Sequence, residues 1–211
     1  MEKRESLSRL NFLLRTEFKF NFTMIMLMIA FTLFAFKGTK IRELCFCAVV
    51  ASTLGDLALM NYNRIPSQLF KGKHFYMGMI FFAIAHIFYH FTFASIMGSL
   101  VLNTLNTGSY IILVIFIFMM PMIAFLLSEK NVIFKYAALV YTMCILFGAL
   151  AIFSCMFEFG GRYIFSGIGI VLFIISDILI MVREFFKDTE LIRKLIWIFY
   201  PIGQLLIIFS V

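Results

Sequence analysis

Charge is the scarcest thing in this chain of 211 residues. Asp, Glu, Lys and Arg together make up 14% of it, against about 25% in an ordinary soluble domain. Apolar residues take their place, at 63%, where a soluble domain carries roughly 45–50%. A small water-soluble fold cannot hide so much apolar surface, because too much of a small domain stays exposed. The two figures exclude a soluble enzyme, a nucleic-acid module and a disordered tail. Cysteine is scarce as well. Cys45, Cys47, Cys144 and Cys155 all lie inside apolar runs, which excludes a secreted disulfide framework and leaves them as small packing residues. No Cys/His cluster has zinc-finger spacing, and no metal or cofactor is expected.

What is present is a series of continuous apolar runs. They do not alternate, so they predict helices rather than barrel strands. A helix crosses a bilayer with about 20 residues. Phe20–Phe36 is the first run, and Leu44–Met60 is the second, interrupted by Asp56. Phe75–Ser128 contains no Asp, Glu, Lys or Arg. As one helix it would measure about 80 Å, so it must be two spans, divided at the turn-rich stretch Asn103–Ser109. Tyr136–Phe157 is the fifth run, Tyr163–Val182 the sixth, interrupted by Asp177, and Leu195–Val211 the seventh, with Pro201 expected to kink it.

Distributing the 18 Lys and Arg over alternate loops puts 14 on one side and 4 on the other. The positive-inside rule then predicts a cytoplasmic N-terminus. The net charge of +7 is thereby absorbed into topology, and no nucleic-acid partner is expected. The fold class read from the sequence is all-α, a polytopic membrane bundle of seven transmembrane helices over residues 20–211. Residues 1–19 precede it as a basic segment. There Leu7, Leu10, Leu14 and Phe18 recur at helical spacing, as in an amphipathic helix lying on a membrane surface.

Against this background the polar residues at depth stand out. A carboxylate in the hydrocarbon region costs several kcal/mol and normally faces a bundle interior or a wet cavity. Asp56 and Asp177 both lie about 6–8 Å from the cytoplasmic ends of their helices, and His86 lies about 16 Å along the third. The three are expected to share a layer in the inner half. Each aspartate follows a small residue and is followed by three apolar residues and a Met (Gly55–Met60, Ser176–Met181). Tyr89, Tyr141, Tyr200 and Gln204 complete the set. Plainer roles remain open for all of them: interhelical hydrogen bonding for the aspartates, packing for the tyrosines, and repair of the proline kink for Gln204. His86 and His90 stand at i, i+4, a metal-ligand spacing, without the full HExxH pattern.

The strings Ser52-Thr53-Leu54-Gly55-Asp56-Leu57, Ala85-His86-Ile87-Phe88-Tyr89 and Leu172-Phe173-Ile174-Ile175-Ser176-Asp177 occur in that order. With Tyr141, Tyr200 and Gln204-Leu205-Leu206-Ile207, they resemble the YhhN family of lysoplasmalogenase-like integral membrane proteins, over roughly Lys19 to Ser210. The resemblance implies an enzyme that hydrolyses the vinyl ether bond of lysoplasmalogens to a fatty aldehyde and a glycerophospho-alcohol. The sequence departs from the family in reading as seven spans where eight are usual, in Phe20 after Lys19 where proline is frequent, and in Pro201 beside the tyrosine.

That chemistry suits the residues. Protonating the β-carbon of a vinyl ether makes an oxocarbenium ion, water adds, and the hemiacetal collapses. The reaction needs a carboxylic acid that keeps its proton and a carboxylate to stabilise the cation or activate water. Desolvation disfavours a charged carboxylate, and two carboxyls sharing a site do not readily ionise together. Glycosidases meet a related oxocarbenium problem with paired carboxylates. The expected catalytic residues are Asp56 and Asp177, with His86 orienting one of them or a water. Tyr89, Tyr141, Tyr200 and Gln204 are expected to line the pocket for a lysophospholipid drawn from the membrane lipids, and Arg183 to hold its phosphate. Two other readings of the residues are a metal-dependent seven-helix lipid hydrolase, with His86, His90 and an aspartate as ligands, and a small-molecule transporter or receptor.

Overall fold

The structure is a computed structural model, and it describes residues 39–59, 74–98, 110–112, 114–119, 132–185 and 188–211. Five long helices dominate: α1 (Lys40–Leu59), α2 (His74–Met97), α3 (Val132–Phe159), α4 (Tyr163–Phe185) and α5 (Glu190–Ser210). A shorter apolar helix occupies Tyr110–Met119. No strand occurs among the described residues. An apolar chain in hydrocarbon has to satisfy its own backbone, and the helix does so within one segment. The five helices fall on five of the seven apolar runs. The first span, the basic segment 1–19, the 103–109 break, and the second loop with Arg64, Lys71 and Lys73 lie outside the described residues, as does most of the fourth span.

Four helices are long and apolar enough to cross a membrane, at Phe75–Met97, Lys135–Phe159, Tyr163–Arg183 and Glu190–Ser210. α1 has the length but not that composition, since it carries Lys40, Arg42 and Glu43 in its first turn and Asp56 near its end.

The helix ends follow local chemistry. Gly98 (φ 67°) ends α2, and the pair Gly160 (φ 58°) and Gly161 (φ 54°) makes the turn from α3 to α4. Left-handed backbone of this kind suits glycine. Thr189 caps α5 by accepting a hydrogen bond from the Ile192 N–H at 3.3 Å. α5 therefore begins five residues before the charge-free run. Its first turns hold the Lys194–Glu190 pair at 3.1 Å, which lies on the exposed surface. It then continues through Pro201 as one helix.

Packing neighbours give the relative directions. Gly78 meets Leu59, and Gly55 meets Phe82, so α1 and α2 are antiparallel. His86 lies against Gly148, and the cavity described below has Phe82 beside Tyr141, so α2 and α3 run the same way. Gly169 meets Gly203 and Ile207, while Phe173 meets Tyr200 at 5.2 Å, so α4 and α5 are antiparallel. Asp56 and Asp177 thus sit on helices that point the same way.

Hydroxyls in the bundle are mostly satisfied inside their own helix. Thr53, Thr92 and Thr142 donate to the carbonyls of Val49, Phe88 and Ala138, four residues back. Ser166, Ser176 and Ser210 donate three residues back. The small residues before the two aspartates have separate reasons. A Cβ on Gly55 would meet the Phe82 ring at 2.9 Å, and Ser176 is fully buried with its hydroxyl on the Phe173 carbonyl at 2.7 Å.

Among the described glycines, the closest approach to backbone joins α4 to α5. A Cβ on Gly203 would stand 2.7 Å from the Gly169 carbonyl oxygen and 3.1 Å from the Phe173 nitrogen. Backbone cannot step aside cheaply. Gly203→Ala should cost about 1–3 kcal/mol through overpacking, seen as a lower Tm of the detergent-purified chain. Gly78→Ala, whose methyl meets only the Leu59 side chain, should cost less.

Candidate active site

The polar residues that do not satisfy themselves locally come from all five long helices, α1 to α5. The Tyr200 hydroxyl of α5 donates to Asp56 Oδ2 of α1 at 2.8 Å. The Tyr141 hydroxyl of α3 donates to Asp177 Oδ2 of α4 at 3.0 Å. The Tyr200 ring packs edge-on against Phe173 at 5.2 Å, one helical turn before Asp177. Each aspartate therefore has its own tyrosine, brought from a different helix. Asp177 is buried, at 8% exposure, and Asp56 is partly exposed.

Behind Asp56 the bonding extends into the core. Gln204 Nε2 donates to the Tyr200 oxygen at 3.3 Å, and the Tyr89 hydroxyl donates to Gln204 Oε1. Tyr89, Tyr200 and Gln204 are all buried. The sequence offered them as the lining of a pocket, or Gln204 as a repair to the proline kink. In the structure both ends of the Gln204 amide hold tyrosines, and none of the three lines the cavity beside Asp177.

That cavity measures ≈ 30 Å³, and Asp177, Tyr141, Phe82, Met79 and Met181 are among its walls. It has room for about two waters. It lies toward the ends of the helices that carry Leu59, Phe75 and Met181. Of the tyrosines put forward from the sequence, Tyr141 is the one in its wall.

His86 stands deeper on α2 and is fully buried, with Nε2 4.0 Å from Asp177 Oδ2. Phe173 approaches its ring edge-on at 4.8 Å, and Gly148 leaves room below it, since a Cβ there would meet Nδ1 at 3.2 Å. Neither ring nitrogen has a hydrogen-bond partner among the described residues. Buried polar atoms are rarely left so. His90, one turn on, has a different environment. Its Nδ1 lies 2.7 Å from the Phe147 carbonyl oxygen and its ring stacks on Phe147 at 3.5 Å. The described residues bring together no group of three His, Cys, Asp or Glu side chains able to hold a metal.

Phe82 is the residue that sequence reasoning missed. It packs edge-on against both Phe173 (6.1 Å) and Tyr200 (5.8 Å), in the space opened by Gly55. It is the apolar wedge between the two aspartates' helices. The one available signal was a glycine directly before a membrane aspartate. Arg183 sits in the last turn of α4, about 9 Å along the axis from Asp177, and takes no part in the hydrogen-bonded set.

The model of one protein family, described as the YhhN family, matches residues 16–211. No curated protein and no solved structure matches the chain. Every residue of the constellation falls within the matched segment.

Gln204→Leu should cost about 1–3 kcal/mol by removing the acceptor of the buried Tyr89 hydroxyl and the donor to the Tyr200 oxygen. Thermal unfolding in detergent measures it.

Proposed function

This chain belongs to the YhhN family, and on that premise we propose that it is a membrane hydrolase cleaving the vinyl ether of lysoplasmalogens by paired-carboxylate catalysis. The observation that carries this reading is the meeting of two membrane aspartates from distant parts of the sequence, each hydrogen-bonded by a tyrosine through Oδ2 and one of them opening on a cavity. One carboxyl protonates the β-carbon of the vinyl ether. The other faces the resulting cation and takes a proton from the attacking water. Collapse of the hemiacetal releases aldehyde and alcohol and returns both protons. No cofactor is required for any of these steps.

His86 Nε2 and Asp177 Oδ2, 4.0 Å apart, are spaced to share one water between them. The cavity takes water as it stands. A lipid chain enters by displacing Met79 and Met181, whose unbranched side chains rearrange at little cost. Arg183, in the last turn of α4, holds the phosphate of a single-chain lipid whose reacting bond reaches Asp177.

Purified protein should release fatty aldehyde from a lysoplasmalogen and none from the saturated ether analogue, which has no double bond to protonate. Aldehyde from neither substrate overturns the reading. Asp56→Asn and Asp177→Asn should each lower turnover at least ~100-fold, the usual scale of one acid/base group. Near-normal turnover in either variant refutes the pairing.

A further inference from the structure

We propose that the end of the bundle away from the aspartates holds a separate site for a phosphate group, carried by a molecule other than the reacting lipid. The site stands apart from the vinyl-ether reading.

A cavity of ≈ 370 Å³ lies at that end, with Arg42 of α1 and Arg162 and Tyr163 at the start of α4 in its walls. Pockets that take small molecules measure about 300–1,000 Å³, whereas the space beside Asp177 is ≈ 30 Å³. Arg42 precedes Asp56, and Tyr163 precedes Asp177, by the same number of residues, about 21 Å along the helix. α1 and α4 point the same way, so the arginines share a layer as the aspartates are expected to. In a lysoplasmalogen only a glycerol backbone separates the phosphate from the vinyl ether, far less than that distance. One molecule cannot place its reacting bond at Asp177 and its phosphate here.

Topology gives no reason for arginine at this end. On the alternate-loop count it is the side with 4 of the 18 Lys and Arg, the side that the positive-inside rule depletes. Two of those four meet in one cavity. No acidic side chain is among the walls that the described residues form. Glu43 and Glu158, at the same end, are exposed. α1 and α4 start here while α2 and α5 end here, so helix dipoles of opposite sense meet and leave the guanidinium groups to set the sign.

The donors suit a tetrahedral oxyanion. Arg162 Nη2 donates to the Tyr163 hydroxyl at 3.0 Å, and the guanidinium carbon stands 5.0 Å from the centre of the Tyr163 ring. That bond uses one of the five N–H donors of a guanidinium. The Tyr163 oxygen accepts in it and keeps its own proton to give. Arginine offers phosphate oxygens parallel pairs of N–H bonds and is always charged. A flat carboxylate has two oxygens and fills one such fork, while a phosphate has oxygens for both forks and for the tyrosine. Ile41 and Ile96 supply an apolar side, against which the carbon skeleton of a phosphate ester lies. The same chemistry takes a lipid headgroup or a water-soluble phosphate.

Binding to the detergent-purified full chain tests the site with two probes, inorganic phosphate in solution and phosphatidic acid in the micelle. Chloride and diacylglycerol are the controls, and diacylglycerol differs from phosphatidic acid by the phosphate alone. Saturable binding of inorganic phosphate supports the site with a soluble ligand. Binding of phosphatidic acid without inorganic phosphate supports it with a lipid headgroup. Arg42→Gln and Arg162→Gln should each weaken the bound probe at least ~10-fold. Tyr163→Phe keeps the ring and should weaken it less, which leaves a test should an arginine variant not fold. Lys40→Gln removes an exposed charge at the same end but outside the walls and should change nothing. Binding of neither probe, an equal loss with Lys40→Gln, or a loss with Arg183→Gln in place of Arg42→Gln overturns the proposal. The measurement needs no turnover, so a protein that releases no aldehyde sinks the substrate reading and leaves this one to its own result.

Discussion

Inside a bundle of apolar helices there is no water to accept or donate a hydrogen bond, so each polar side chain must find its partner in protein. The rest of the architecture follows from how that constraint is met. Threonines and serines meet it by bonding a carbonyl of their own helix, which ties nothing together. The aspartates have no such bond among the described residues. They draw hydroxyls from other helices, Tyr200 to Asp56 and Tyr141 to Asp177. These two bonds join α5 to α1 and α3 to α4. Polar chemistry, rather than apolar packing, thus specifies which helices meet at the site.

The helices themselves were largely legible in the sequence, because an apolar run of bilayer length has few alternatives. Their ends were less so. A charge-free run stops at the first Lys or Glu, yet α5 starts at Glu190 and α3 at Val132, ahead of Lys135. Long charged side chains at a helix terminus reach out of the apolar layer while their backbone stays helical. A shared layer for Asp56, Asp177 and His86 was expected from depth, since rise per residue converts sequence position into height, but depth does not say which way they face.

Rotation about the helix axis was not legible. α2 and α3 are apolar on all sides, so no polar stripe tells which face looks inward. His86 and His90 share a face by spacing, yet one looks toward Asp177 and the other stacks on Phe147. Tyr89, Tyr200 and Gln204 have the right depth to line a pocket. Only the angle at which α5 sets against α2 makes them a hydrogen-bonded chain instead. Phe82 carried no sequence signal beyond the glycine opposite it.

The contact of Gly169 with Gly203 has a mechanical consequence. With backbone on backbone, α4 and α5 form one stiff strut, and Asp177 and Tyr200 ride on it at a constant separation. α3 joins that strut along a seam less extensive than the one between α4 and α5. The bond across that seam is the one from Tyr141 to Asp177. A shift of α3 against the strut loads the bond from Tyr141 to Asp177, and a shift of α1 loads the bond from Tyr200 to Asp56.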